Sequence, residues 1–154
     1  MKSILLSAAV FVAAAPALAQ SEELTERQAE RAVDTRQSVV KLLAWNLGPL
    51  GGMARGLVDF DAERAQTHGA RILALAGMME DAFATDTRGA DVETEALDKI
   101  WADAAGFDAK IAGLMEAAQA FVTAAESGDK DTTLAAVRPL GQSCGACHDA
   151  YREE

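Results

Sequence analysis

Residues 103–126 read DAAGFDAKIAGLMEAAQAFVTAAE, and this stretch decides the fold class. Phe107, Ile111, Leu114, Ala118, Phe121 and Ala125 recur at spacings of 4, 3, 4, 3 and 4 residues. That rhythm lines all six on one stripe of an α-helix starting at about Asp98 or Asp103 and running to Glu126. Ser127-Gly128-Asp129 ends it in a turn. Downstream, a further helix from near Asp131 carries Leu134, Val137, Gly141, Cys144, His148 and Tyr151 on one stripe. Pro139 falls inside that pattern and is expected to bend the helix or delay its start. Upstream, the polar, Gly-containing segment Ala84–Thr94 is a connector. A second helix spans about Asp61 to Ala82, its apolar face holding Ala65, Ile72, Leu75, Ala76 and Met79. The first helix runs from near Glu22 to about Leu47, with Val33, Val40 and Leu47 in a stripe widened by Val39, Leu42 and Leu43. Gly48-Pro49 is expected to kink or end it, with one or two further turns over Leu50–Gly56. Each apolar stripe must find a partner, so the expected architecture is all-α, an antiparallel four-helix bundle. Three helices plus a hairpin is the weaker alternative.

The composition agrees. Among 154 residues, 50% are hydrophobic and only 5% aromatic, which suits helices in one domain rather than a β-sandwich. The formal charge of −10 excludes a nucleic-acid partner, whose phosphates need basic patches. Residues 1–19 read MKSILLSAAVFVAAAPALA: a Lys near the start, an apolar run and an Ala-Leu-Ala cleavage signal. This is the pattern of a cleaved secretory signal peptide. The run is too short to span a bilayer of about 30 Å. The mature domain then covers residues 20–154, is exported to the periplasm and has no membrane span.

The two cysteines stand in Cys144-Gly145-Ala146-Cys147-His148, the C-x-x-C-H pattern of covalent haem c attachment. On a helix, positions 0, +3 and +4 fall within an arc of about 100°. Both thiols can therefore reach the vinyl groups on one porphyrin edge while His148 faces the iron. Gly145 and Ala146 let the ring approach the backbone. Competing readings are a thioredoxin-like redox pair, a plain disulfide and a zinc site. The first lacks its strand and following helix, the second leaves His148 unexplained, and the third has only His68 as a further His ligand. The motif lies at the C-terminal end, so any sixth ligand must come from upstream. Met53, Met78, Met79, Met115 and His68 are the candidates, although a helical Met is usually core filling.

A helical chain ending CGACHDAYREE, with Arg36-Gln37-Ser38 in the first helix and Lys99-Ile100-Trp101-Ala102-Asp103 before Phe107, resembles the class II cytochromes, above all the cytochrome c′ family. The resemblance covers essentially the whole mature chain. It implies one haem c, joined through Cys144 and Cys147 with His148 on the iron, in a four-helix bundle. It places Arg36 and Gln37 on the haem propionates, which suits the guanidinium fork. It places Val40, one turn after Arg36, opposite the iron. Low-spin relatives have Met there; Val40 offers no lone pair, so a five-coordinate, high-spin iron is expected. Glu95, in the Thr94-Glu95-Ala96 stretch, is expected near the haem edge, though Asp98 stands where the family usually has Pro and the connector is longer than usual. Arg152 is expected to border the proximal side. Tyr151 and Phe107 are expected to pack against the porphyrin, and Trp45 and Trp101 to fill packing positions. The resemblance further implies a homodimer through the first two helices.

The function so implied is a non-enzymatic haem protein that binds diatomic gases (NO or CO), or transfers electrons with a small redox partner protein. One alternative is a low-spin electron carrier with an upstream Met ligand. Another is a haem enzyme of peroxidase or NO-reductase type, which would want a distal acid–base group where Val40 stands.

Overall fold

Helix α1 (Glu26–Ala54) begins in a capping box: Thr25 Oγ1 accepts from the Gln28 N–H, and the Gln28 side chain returns to the Thr25 N–H. The structure is a computed structural model that describes residues 24–153; the signal peptide expected over 1–19 lies outside the described residues. Contrary to the sequence expectation, Pro49 neither ends α1 nor splits it. Proline removes one helical hydrogen bond, the one to the carbonyl of Trp45, a residue that is 62% exposed. The helix instead runs to Ala54, and just beyond it the φ of 68° at Gly56 lets the Leu57 and Gly56 N–H groups return to the carbonyls of Gly52 and Met53.

Helix α2 (Ala62–Ala76) is capped by Asp61, whose Oδ1 accepts from the Arg64 N–H. The second predicted helix stops early: Gly77 and Met78 interrupt it, and a short α3 (Met79–Phe83) follows. The third predicted helix is likewise divided. A single turn, α4 (Lys99–Ala102), precedes α5 (Ala104–Glu126), and Asp103 caps α5 through the Gly106 N–H. Helix α6 (Lys130–Tyr151) is capped by Asp129 and runs through Pro139 without a break.

The four long helices close a ring. α1 packs on α2 and α6, and α5 packs on α2 and α6, giving the antiparallel four-helix bundle with α3 and α4 as satellites. The periodic residues of α5, from Phe107 to Ala125, are all buried at its centre. The α1 stripe is corrected. Leu42 is 47% exposed and Trp45 lies on the outside, while Arg36 and Asn46 take inward positions that hydrophobicity alone would not give them. On the outside, Trp45 is flanked by the Arg71 guanidinium at 6.0 Å and by the edge of His68. In α6 the deepest residues are Thr133, Val137, Leu140 and Tyr151, so Leu140 replaces the expected Gly141.

The α2–α5 crossing is tight because residue 69 has no side chain. A Cβ there would fall 2.6 Å from the ring of Phe121, which is itself fully buried. Gly69→Ala is therefore expected to cost about 1–3 kcal/mol through overpacking, read as a lower urea midpoint with an unchanged slope.

Candidate functional site

The sequence-predicted site residues converge from both ends of the chain. A cavity of about 720 Å³ opens between the N-terminal half of α1 and the C-terminal half of α6. Val33, Arg36, Gln37 and Val40 line it from α1. One helical turn separates Arg36 from Val40, so the two share a face. Cys147, His148 and Tyr151 line it from α6, and Glu95 and Arg152 lie at its rim. Cys144 is half-buried against the core one turn before His148 and does not line the cavity itself. Met79, Phe83, Ile100 and Phe107 supply further apolar wall. Met79, Phe83 and Ile100 come from the short helices α3 and α4, whose inward faces carry too few residues for a periodic signal.

Arg36 is the least expected feature. It is only 1% exposed, yet no carboxylate pairs with it among the described residues. Its Nη2 donates to Thr87 Oγ1 at 3.0 Å and to Thr94 Oγ1 at 3.1 Å. Its Nε and Nη1 are buried without any partner. The guanidinium lies 5.2 Å from the Trp101 ring and 5.9 Å from that of Phe83, and the Trp101 Nε1–H donates to the Phe83 carbonyl. Trp101 is thus the packing residue that its sequence context suggested. Burial lowers the Arg36 pKa from its usual value, but a guanidinium keeps its proton at any ordinary pH. A buried cation with open donors costs several kcal/mol unless an anion answers it.

On α6, burial pushes the Cys144 and Cys147 thiols above the ordinary range; for Cys147 the neighbouring Cys144 adds to this and Lys110 opposes it. The two sulfurs are not joined to each other. Burial first, then Arg152, lowers the His148 pKa, against Asp149 and Glu95. This shift favours the neutral imidazole, the form with a nitrogen lone pair. Tyr151 is fixed from its far side: its hydroxyl donates to Asp103 Oδ2 at 2.9 Å, and its ring stands edge-on to Phe107 at 5.2 Å. Phe107 meets Phe83 at 5.0 Å, so three rings continue one wall. Gly106 allows the Tyr151 contact, since a Cβ there would fall 2.6 Å from the hydroxyl.

The segment after α6 returns to the connector. The Leu97 N–H donates to the Tyr151 carbonyl at 3.1 Å, and the Glu153 N–H donates to the Glu95 carbonyl at 2.8 Å. Ala96 and Arg152 form an antiparallel bridge at this point. Arg152 Nε and Glu95 Oε2 are 4.0 Å apart and both exposed, a pair that contributes little by itself. Gln37 is half-buried at the cavity, its Oε1 3.5 Å from Lys41 Nζ.

His68 does not line this cavity. It is 7% exposed, and its Nδ1 lies 2.9 Å from Asn46 Oδ1 in the seam between α1 and α2. Asn46 donates its own amide to the Leu42 carbonyl, so the imidazole Nδ1 carries the hydrogen. Burial, then Arg71 and Arg64, lower its pKa. It is a satisfied core histidine.

A group that fits this cavity is large, flat and mostly apolar, bears negative charge towards Arg36, and accepts an imidazole nitrogen. Haem meets each demand, and the free thiols of Cys144 and Cys147, on the helix that carries His148, match its covalent form. The class defined by fold and site is therefore the helical c-type haem proteins. Comparison with known proteins narrows it. The family model described as cytochrome c′ matches residues 31–152. A cytochrome c′ of Cereibacter sphaeroides is 37% identical over 154 residues, covering 99% of this chain and 98% of that protein. The solved cytochrome c′ of Shewanella frigidimarina superposes with a TM-score of 0.74 at 35% identity, covering 82% of this chain and 97% of that one. A nitric oxide complex of a variant cytochrome c′ from Alcaligenes xylosoxidans gives 0.72 at 32% identity, covering 82% and 97%. The chain belongs to the cytochrome c′ family, and its cofactor is haem c.

Proposed function

We propose that this chain is an exported haem protein whose iron takes one protein ligand, His148, and that it binds NO or CO on the opposite face or passes single electrons to a small redox partner. Bound haem supplies an iron that changes oxidation state by one electron and accepts a diatomic ligand. Cys144 and Cys147 hold the group through thioethers, and Arg36 and Gln37 bind its propionates. Glu95 and Arg152 border its exposed edge.

The observation that carries the reading is Val40. It faces the cavity from α1, across from His148, with a side chain that has no lone pair to give. It excludes water and leaves room without competing for the metal. The absence of an acid or base at this residue also argues against a peroxidase or NO-reductase type of enzyme. The nitric oxide complex of the Alcaligenes relative supports gas binding as the family's chemistry.

A second reading rests on Met79. Of Met53, Met78, Met79 and Met115, it is the one that lines the cavity. The ferric holoprotein is expected to show a high-spin visible and EPR spectrum. A purely low-spin spectrum would overturn the five-coordinate reading, and Met79→Leu would then show whether that thioether is the ligand.

Export and pairing complete the proposal. The mass of the protein recovered from the periplasm should begin at Gln20. The exposed Leu42 and Trp45 on α1 offer apolar surface for a second copy across α1 and α2. Sedimentation of the holoprotein reads that state directly.

A further inference from the structure

The connector between α3 and α4 does more than join two helices. Its Thr87 is buried and Thr94 half-buried, and both hydroxyl oxygens meet the same nitrogen, Arg36 Nη2. A guanidinium has five N–H donors. The two on Nη2 are taken by the threonines, while those on Nε and Nη1 stay buried and open. Thr94 Oγ1 also accepts from the Ala96 N–H at 3.1 Å, which ties it to the stretch bridged to Arg152. Trp101 and Phe83 flank the guanidinium, so its plane has little freedom to turn. Neutral hydroxyls fix the direction of the cation without consuming its charge. A carboxylate in place of either threonine would pair with it and cancel that charge.

We infer that Thr87 and Thr94 are positioning residues: they hold Arg36 by one nitrogen so that its remaining donors face the propionate of the haem. This rests on the propionate role of Arg36 proposed above. The charged groups around this part of the cavity are Asp34 and Lys41 from α1, Glu93 and Glu95 from the connector, and Arg152 and Glu153 from the tail. The valine variants described next leave all six unchanged.

The test is a double-mutant cycle on the holoprotein, read by the midpoint potential of the iron at fixed pH and salt. An anionic propionate without its cation favours the ferric state, so Arg36→Leu should lower the potential. Thr87→Val with Thr94→Val keeps side-chain shape, removes both acceptors, and should lower it at least half as far. In the Arg36→Leu background the two valines should add nothing, because there is no longer a guanidinium to aim. Thr87→Ser with Thr94→Ser, which restores the hydroxyls, should return the potential towards that of the native protein. If Arg36→Leu does not mature with haem, Arg36→Gln serves as the background. A valine pair with the native potential, or with the same shift in both backgrounds, overturns the inference and leaves the Arg36 role standing. An unshifted Arg36 variant overturns both.

Discussion

Replacing Cys144 and Cys147 together with alanine should yield a chain that keeps no haem through denaturation and no longer melts as one cooperative unit. The thioethers are the only covalent hold proposed for the cofactor. Once they are gone, haem is held by His148 and by contacts that exchange with solvent. Without it, the wall residues of α1 and α6 face a cavity of about 720 Å³ that must collapse or fill with water. Arg36 is then a desolvated cation with two neutral partners and open donors. Both effects act in the same direction, and their sum is on the order of several kcal/mol, a large share of a small domain's stability. Calorimetry should show a broad transition at much lower temperature, and a haem stain after denaturing electrophoresis should be negative. A sharp native-like transition in the haem-free variant would show that the bundle does not need its cofactor.

Val40→Met should convert the ferric iron from high-spin to low-spin. Residue 40 lines the cavity one turn beyond Arg36, on a helix that is regular from Glu26 to Ala54. An unbranched thioether there carries a lone pair on a flexible arm, where valine carries two methyl groups. Gas binding would then have to displace sulfur. If sulfur is bound in about 99 of 100 molecules, the apparent CO affinity falls about a hundredfold. Ferric EPR and CO titration check the two halves separately. A variant that stays high-spin would mean that residue 40 does not face the metal.

The reach of the sequence followed the physics of each element. The stripe of α5 was legible because every one of its six positions is apolar and buried. The lining of the cavity was legible where a motif encodes chemistry, as at Cys147 and His148, or where a family pattern extends it, as at Arg36 and Val40. Periodicity misled on α1, where inward positions go to Arg36 and Asn46. A polar residue at such a position reads as surface until its partners are known, and those partners are Thr87 and Thr94 for one and His68 for the other. Helix ends at Pro49 and Gly77 were misjudged for a related reason. Proline in a helix is tolerated when water can take the freed carbonyl, and that depends on tertiary exposure. The family pattern brings Thr94-Glu95-Ala96 to the cavity, but the hold of Thr87 and Thr94 on Arg36 was not legible, since two threonines in a polar loop carry no local signal.

The pairing of α1 with α6 also has a meaning in polymer terms. Arg36 and His148 lie at opposite ends of the described chain, so the cavity closes a loop of about 110 residues, at an entropic cost of about 4–5 kcal/mol. Nothing short of the complete bundle can form it. A C-terminal fragment could carry the attachment motif but would have no opposite wall, and an N-terminal fragment would have Arg36 with nothing to face. A cofactor stitched to the last helix and gripped by the first, as proposed above, would act as a clasp on that loop. Its binding energy is then felt as resistance of the two chain ends to separation, and pulling them apart should be the mechanical event most sensitive to its loss.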